Sequence, residues 1–328
     1  MADLAVSRPE ASVHSIDHYA LNVPSIPVAE HFFNAFGLDV SRAGQHADEL
    51  EIRAADGWRW ARVLPSSSKS LAYLSFNCFD DDLETIRRQV TAAGGELVQS
   101  HPSVSSEQNA EGFWFIDPDG NLIQVKPGPK TSPKGKTSIL LPLGMADARG
   151  SHPRSAAKTV RPQRLSHVLL FSPDVLRALD FYGEALGLRL SDKSLDIIAF
   201  THAPHGSDHH LVAFAKSTAR GWHHAAWDVP NVNTVGLGAS QMAAAGYADG
   251  WGTGRHVLGS NYFHYVQDPW GSFCEYSADI DFVSAGTEWP AGDFAPEDSL
   301  YLWGPSVPSN FIHNTEAPVD VAGVIPEG

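Results

Sequence analysis

The sequence predicts an α+β fold made of two homologous units, each a strand, a helix and then several strands. Three observations predict it. IDHYALNVPSIPVAEHFFNAFGLDV, from Ile16, and LSHVLLFSPDVLRALDFYGEALGLRL, from Leu165, both read as a strand, a turn and an amphipathic helix closed by Gly-Leu. FWFIDPDGNLIQV (113–125) and FHYVQDPWGSFCEY (263–276) both read as a strand, an Asp-Pro-x-Gly turn and a second strand. The landmarks also keep nearly one offset: His18 to His167 is 149 residues, Gly37 to Gly187 is 150 and Asp117 to Asp268 is 151.

The elements follow in order. The first unit spans 11–128, with helices expected over 27–36 and 82–94. The second spans 161–280, with helices over 173–186 and 231–246. LETIRRQVTAAGG and VGLGASQMAAAG each follow a strand and stop at glycine, the residue that most easily ends a helix. Between the units, 129–160 is rich in Pro, Gly, Ser and Lys and reads as a linker. Its Gly-Lys-Thr-Ser stretch is not a phosphate-binding loop, because Gly128 lies seven residues before Gly135 where five are needed. The tail 281–328 carries Trp289, Phe294, Tyr301, Trp303 and Phe311 among prolines and acids. It is too aromatic for a disordered end and is expected to pack on the second unit.

Composition narrows the function. The 328 residues carry a formal net charge of −15, without the basic footprint that nucleic-acid binding needs. No apolar run is long enough to span a membrane, and the N-terminus has no secretory pattern. Two distant cysteines, Cys78 and Cys274, form no disulfide framework and fit a reducing cytoplasm. Cys274 adjoins Glu275 in a strand, so it faces the other way and reads as an inert thiol rather than a nucleophile. Eleven of the sixteen histidines lie from His152 onward, which directs attention to the second unit.

Strand parity then picks out three residues. His167 shares a face with Leu165, Leu169 and Phe171, and Glu275 shares one with Phe273 and Ser277. A carboxylate among apolar neighbours needs a partner or a metal. The pair His223-His224 offers a third ligand, and the repeat chooses between them. The offset that aligns Glu275 with Gln124 aligns His224 with Tyr73 and Trp227 with Phe76, so His224 faces inward and His223 outward. His167, His224 and Glu275 would make a two-histidine, one-carboxylate triad with open positions, suited to non-haem Fe(II). The first unit has His18, Tyr73 and Gln124 there, so it is expected to be a metal-free scaffold.

At this point the residues resemble a family. The paired units resemble vicinal oxygen chelate modules, and the second resembles a type I extradiol ring-cleaving dioxygenase of the catechol or homoprotocatechuate 2,3-dioxygenase kind. GRHVLGSNYFHYVQDPWGSFCE (254–275) carries that signature, departing from it at His264, which stands where an apolar residue usually precedes the tyrosine. The resemblance implies tandem paired βαβββ modules, each domain forming a partly open barrel. It implies Fe(II), with Mn(II) accepting the same ligands, held by His167, His224 and Glu275. It implies that His210 adjoins the dioxygen site and that His256 and Tyr265 contact the substrate, with His209 as the structural neighbour in its pair. A catechol and dioxygen are the implied partners, in a homo-oligomer.

LYLWGPSVPSNF (300–311) resembles the family's lid. Trp251 and Ser299-Leu300 stand where acid-binding relatives place arginines, leaving Arg255 beside His256, so a neutral or bulkier apolar catechol is implied. Trp251, Arg255, Leu169 and Trp303 are the expected pocket residues. Two rival readings share the fold. A glyoxalase-like isomerase would use the metal as a Lewis acid, but its ligands usually draw on both units. A binding module would need no triad.

Overall fold

The computed structural model describes residues 11–43, 48–104, 112–136 and 146–317. Part of the linker, including Thr137 and Ser138 of its Gly-Lys-Thr-Ser stretch, and the end of the tail at 318–328 lie outside them.

The first unit runs β1 (Ser15–Val23), α1 (Ile26–Phe36), β2 (Asp39–Ala43), β3 (Glu49–Arg53), β4 (Arg59–Pro65), β5 (Ser70–Cys78), α2 (Leu83–Ala92), β6 (Glu96–Val98), β7 (Phe113–Ile116) and β8 (Leu122–Pro127). The second runs β9 (Arg164–Ser172), α3 (Val175–Leu186), β10 (Arg189–Ser194), β11 (Ile198–His202), β12 (Ser207–Asp208), β13 (Val212–Lys216), β14 (Gly221–Asp228) and α4 (Val232–Ala244). It continues with β15 (Gly250–His256), β16 (Tyr262–Gln267), β17 (Phe273–Ala278), β18 (Phe282–Val283), β19 (Gly292–Asp293) and β20 (Tyr301–Trp303).

Each helix lies within three residues of the expected span at either end, and local chemistry sets the difference. Asp174 accepts from Arg177 N–H, so α3 starts just after it. At the far end Gly187 takes the left-handed conformation that closes the helix.

The two large sheets repeat one strand order. The first is β2-β3-β4-β1-β5-β8-β7-β6, and the second is β10-β11-β13-β9-β14-β17-β16-β15 with β19 and β20 added at its edges. Each is two βαβββ halves joined by an antiparallel central pair, β1 with β5 and β9 with β14. Both sheets have open edges, so the α+β class is observed as predicted, with few helices and no closed barrel among the described residues.

The helices of the two units pack against each other over one apolar core that draws on both. Phe36 stacks on Tyr276 at 3.9 Å between ring centres, and the Tyr276 hydroxyl donates to Phe36 O at 2.8 Å. Tyr182 donates to Asp117 of the first Asp-Pro-x-Gly turn at 2.9 Å. The faces away from the helices differ. In the first unit Ala20, Leu64, Ala72, Tyr73 and Trp114 cluster there. In the second the corresponding face holds the histidines.

Candidate active site

Three neighbouring strands bring the triad together. In the cross-strand register, His167 on β9 and Glu275 on β17 both pair with Ala226 on β14, and Tyr265 on β16 pairs with Glu275. The row therefore reads His167, Ala226, Glu275, Tyr265, with a methyl group between the two ligands. His224 lies two residues before Ala226 and shares its face, beside Leu169 and Phe273. Nε2 of His167 and Nε2 of His224 each lie 3.4 Å from Glu275 Oε2. Among the described residues, His167, His224 and Glu275 form the group of three such side chains able to hold a metal ion.

The surroundings set which nitrogen carries each proton. Ser166 has one hydroxyl proton and gives it to Asp208 at 2.8 Å, so it accepts from His167 Nδ1–H at 3.1 Å. Asp208 is in turn held by Arg164 through two hydrogen bonds, at 2.7 and 3.1 Å. His223 Nε2–H donates to Phe311 O at 2.7 Å, so its Nδ1 accepts from His224 Nδ1–H at 2.6 Å. Both ligand histidines are left with a bare Nε2. Asn261 donates to Glu275 Oε1 at 2.9 Å, while Oε2 is buried with no hydrogen-bond partner, as is His224 Nε2.

Buried lone pairs that meet without a proton between them are what a divalent cation satisfies. The residues thus fit the metal the sequence implies. Burial holds the imidazoles neutral: His167 is lowered to about 3, His224 and His210 well below the ordinary range, and His256 downward. Burial also pushes Glu275 up to about 7, against the lowering effects of His256, Tyr265 and Asn261.

The other expected residues surround this point. The His210 ring lies 3.9 Å from that of His167. His256 Nδ1–H donates to Leu300 O at 2.7 Å, so its Nε2 accepts from the Tyr265 hydroxyl at 2.9 Å. Trp251 stacks on Tyr265, with ring centres 5.7 Å apart, and donates to Pro305 O at 2.8 Å. Leu169 is buried beside His224. Arg255 and Trp303 are not brought to the triad. Arg255 alternates with His256, bonds Ser260 O at 3.0 Å and lies over the Tyr262 ring. Trp303 packs against that same ring and is 46% exposed. His264 also alternates away from Tyr265, as expected, and pairs with Tyr276 across β16 and β17.

Sequence reasoning missed Ala226, Ser166, Asp208 and Asn261. Asn261 stood inside the quoted signature, two residues before an assigned strand face. The others carried no signal, because Ala226 meets its neighbours, and Asp208 meets Ser166 and Arg164, only across strands.

The comparisons with known proteins follow the same lines. Residues 164–276 match the family model described as the glyoxalase/bleomycin resistance protein/dioxygenase superfamily. The chain is 63% identical over 311 residues to metapyrocatechase 2 of Cupriavidus necator, covering 95% of each protein. The chain belongs to the extradiol dioxygenases of this superfamily. Among solved structures, a mutant of homoprotocatechuate 2,3-dioxygenase from Brevibacterium fuscum superimposes with a TM-score of 0.74 at 18% identity, covering 98% of this chain and 87% of that one. A Mn(II)-bound glyoxalase from Novosphingobium aromaticivorans gives 0.73 at 24% identity, covering 92% and 95%. At those identities the likeness is one of fold. This extradiol dioxygenase has a His/His/Glu site suited to the metal that its family uses.

Proposed function

We propose that this dioxygenase opens the ring of a neutral or apolar-substituted catechol, beside its two hydroxyls, at Fe(II) held by His167, His224 and Glu275, in the breakdown of aromatic compounds. The observation that carries the reading is the meeting of three buried ligand atoms, two from histidines and one from a carboxyl group, beside His210, His256 and Tyr265. When bound, the metal held by His167, His224 and Glu275 would supply an electrophilic centre for catechol and dioxygen, since two neutral ligands and one anion would leave it with net positive charge.

The side chains of this chain do the rest. The Tyr265 hydroxyl and His256 Nε2 form one hydrogen-bonded pair that can turn to the substrate oxygens, donating from the phenol and accepting at the imidazole. His210 takes and returns a proton on the dioxygen side, beside His167. Trp251, Phe273 and Phe311 exclude water and set the ring plane. A neutral substrate follows from an indole at Trp251 and from Arg255 turned to the flank.

The test uses protein reconstituted anaerobically with Fe(II). Catechols that are unsubstituted, 3-alkyl, 4-alkyl, 3-aryl and carboxylated are added while dioxygen uptake and visible absorbance are followed. Stoichiometric uptake with a yellow ring-opened product, weakest for the carboxylated member, is expected. No uptake across the panel with iron bound would overturn the reading in favour of an isomerase.

A further inference from the structure

Two pairs of adjacent histidines stand behind the site, and they are wired alike. In each pair the two Nδ1 atoms face each other, at 3.1 Å for His209 and His210 and at 2.6 Å for His223 and His224. In each pair the outer ring ends on an oxygen through Nε2. His223 meets Phe311 O at 2.7 Å, and His209 meets Asp192 Oδ2 at 2.7 Å. Between two facing ring nitrogens one must donate and the other accept. The oxygen at the far end decides which. A carbonyl accepts only, so His223 is protonated on Nε2 and His224 Nε2 is bare for the metal.

We propose that Asp192 plays the corresponding part for His210. It is a positioning residue, acting at two removes. The Asp192 carboxylate, which can only accept, fixes a proton of His209 on Nε2. His209 Nδ1 then accepts from His210 Nδ1–H, and His210 presents a bare Nε2, a proton acceptor, to the dioxygen side. The inference rests on the reading of His210 given above.

The arrangement is held in place on every side. Asp192 Oδ1 accepts from Gly292 N–H at 2.7 Å, where β10 pairs with β19, so the carboxylate cannot turn without losing a bond. Asp192 and His209 are buried, at 6% and 0% exposure. The His209 backbone N–H donates to Asp281 O at 2.6 Å, and its carbonyl accepts from Ser191 Oγ. Its ring packs against Phe200 and Trp289. Tautomer, not rotation, is the remaining freedom.

One substitution reverses the chain. In Asp192→Asn the Gly292 N–H still requires an oxygen, so the amide NH2 group faces His209. His209 Nε2 must then accept, its proton moves to Nδ1, and it donates to His210 Nδ1. His210 is left protonated on Nε2. The proton count on the two rings is unchanged and two hydrogen bonds change direction, so an acceptor at the reaction site becomes a donor.

The first readout is independent of activity. Full-length protein labelled with 15N-histidine and loaded with diamagnetic Zn(II) reports which ring nitrogen carries hydrogen, and His210→Phe assigns the signal. The expected result is His210 protonated on Nδ1 in the natural protein and on Nε2 in Asp192→Asn, with His224 unchanged. His210 protonated on Nε2 in the natural protein would overturn the proposal without need of any variant. The second readout is turnover of the Fe(II) enzyme. Asp192→Asn should lose about 100-fold in kcat on catechol, in the range of a misplaced acid–base group, with iron content and KM retained. A reversed tautomer with unchanged kcat would overturn the role assigned to Asp192. If the natural Fe(II) protein turns over no catechol, the functional reading fails, while the ring-nitrogen result still decides the wiring.

Discussion

At the scale of single residues, the ligands and the groups behind them should separate experimentally. Glu275→Ala removes the one anionic ligand, and the variant is expected to lose iron; full metal content would contradict its role. His223→Ala and Asn261→Ala leave all three ligands in place but remove what orients His224 and Glu275. Each should weaken metal affinity by about 10- to 100-fold, the usual cost of losing a ligand's support. Titration with graded chelator would measure it, and unchanged affinity in both would show that the ligands orient themselves. His210→Phe replaces none of the three ligands. It should keep iron and lose about 100- to 10,000-fold in turnover, as removal of an acid–base histidine does; an iron-replete variant with full turnover would remove His210 from the mechanism. The triad was legible because strand parity and the internal repeat both point to it. The support was not, because Asp208 meets Arg164 and Ser166, and Asn261 meets Glu275, across separate segments of the chain, and no spacing along the chain encodes such a meeting.

At the scale of elements, the tail behaves as a built part of the site. Three of its carbonyls accept from three site side chains: Leu300 from His256, Pro305 from Trp251 and Phe311 from His223. The Phe311 ring lies within 5 Å of Trp251 and Tyr265. Its aromatic content announced packing in the sequence, but the carbonyl contacts did not show, since any residue has a carbonyl. The tail is also tied down by the first unit. Lys69, in the connection between β4 and β5, reaches Glu316 at 2.9 Å and Trp222 O at 3.2 Å, and Glu316 accepts from Trp222 N–H at 3.1 Å. Both charged groups are largely buried, so Lys69→Met leaves a carboxylate without its cation, a loss of about 3–5 kcal/mol where a buried pair is broken. The expected outcome is cleavage of the tail by protease under conditions where the natural chain resists, with iron content largely kept. Equal resistance would mean that the aromatic contacts alone hold the tail.

At the scale of the whole molecule, the two copies of the duplicated unit differ in what stands at their matching positions. The first unit's equivalents satisfy one another: Tyr73 donates to His18 at 2.9 Å and accepts from Arg62 at 3.0 Å, while Gln124 accepts from Ser75 at 2.8 Å. In that network the His18 Nε2, the Tyr73 hydroxyl and the Gln124 carbonyl each have a hydrogen-bond partner. It also bears on stability in acid, because both units bury titratable groups. Burial lowers His14, His202 and His264 from 6.5 to about 4, and these residues lie in different parts of the chain. A histidine harder to protonate when folded than when unfolded costs nothing above pH 6.5. Below it the unfolded chain takes up the proton first, so stability falls with pH until the folded pKa is reached. Asp17, opposed by its burial but held below the ordinary carboxylate range by His18, Lys126 and Asn77, adds in the same direction below pH 4. The melting temperature should therefore fall between pH 6.5 and 4, with up to three protons taken up on unfolding from these histidines. Metal-loaded protein measured by calorimetry across that window would show it. Replacing His264 and His202 by glutamine should flatten the slope, and an undiminished slope in that double variant would place the acid sensitivity elsewhere.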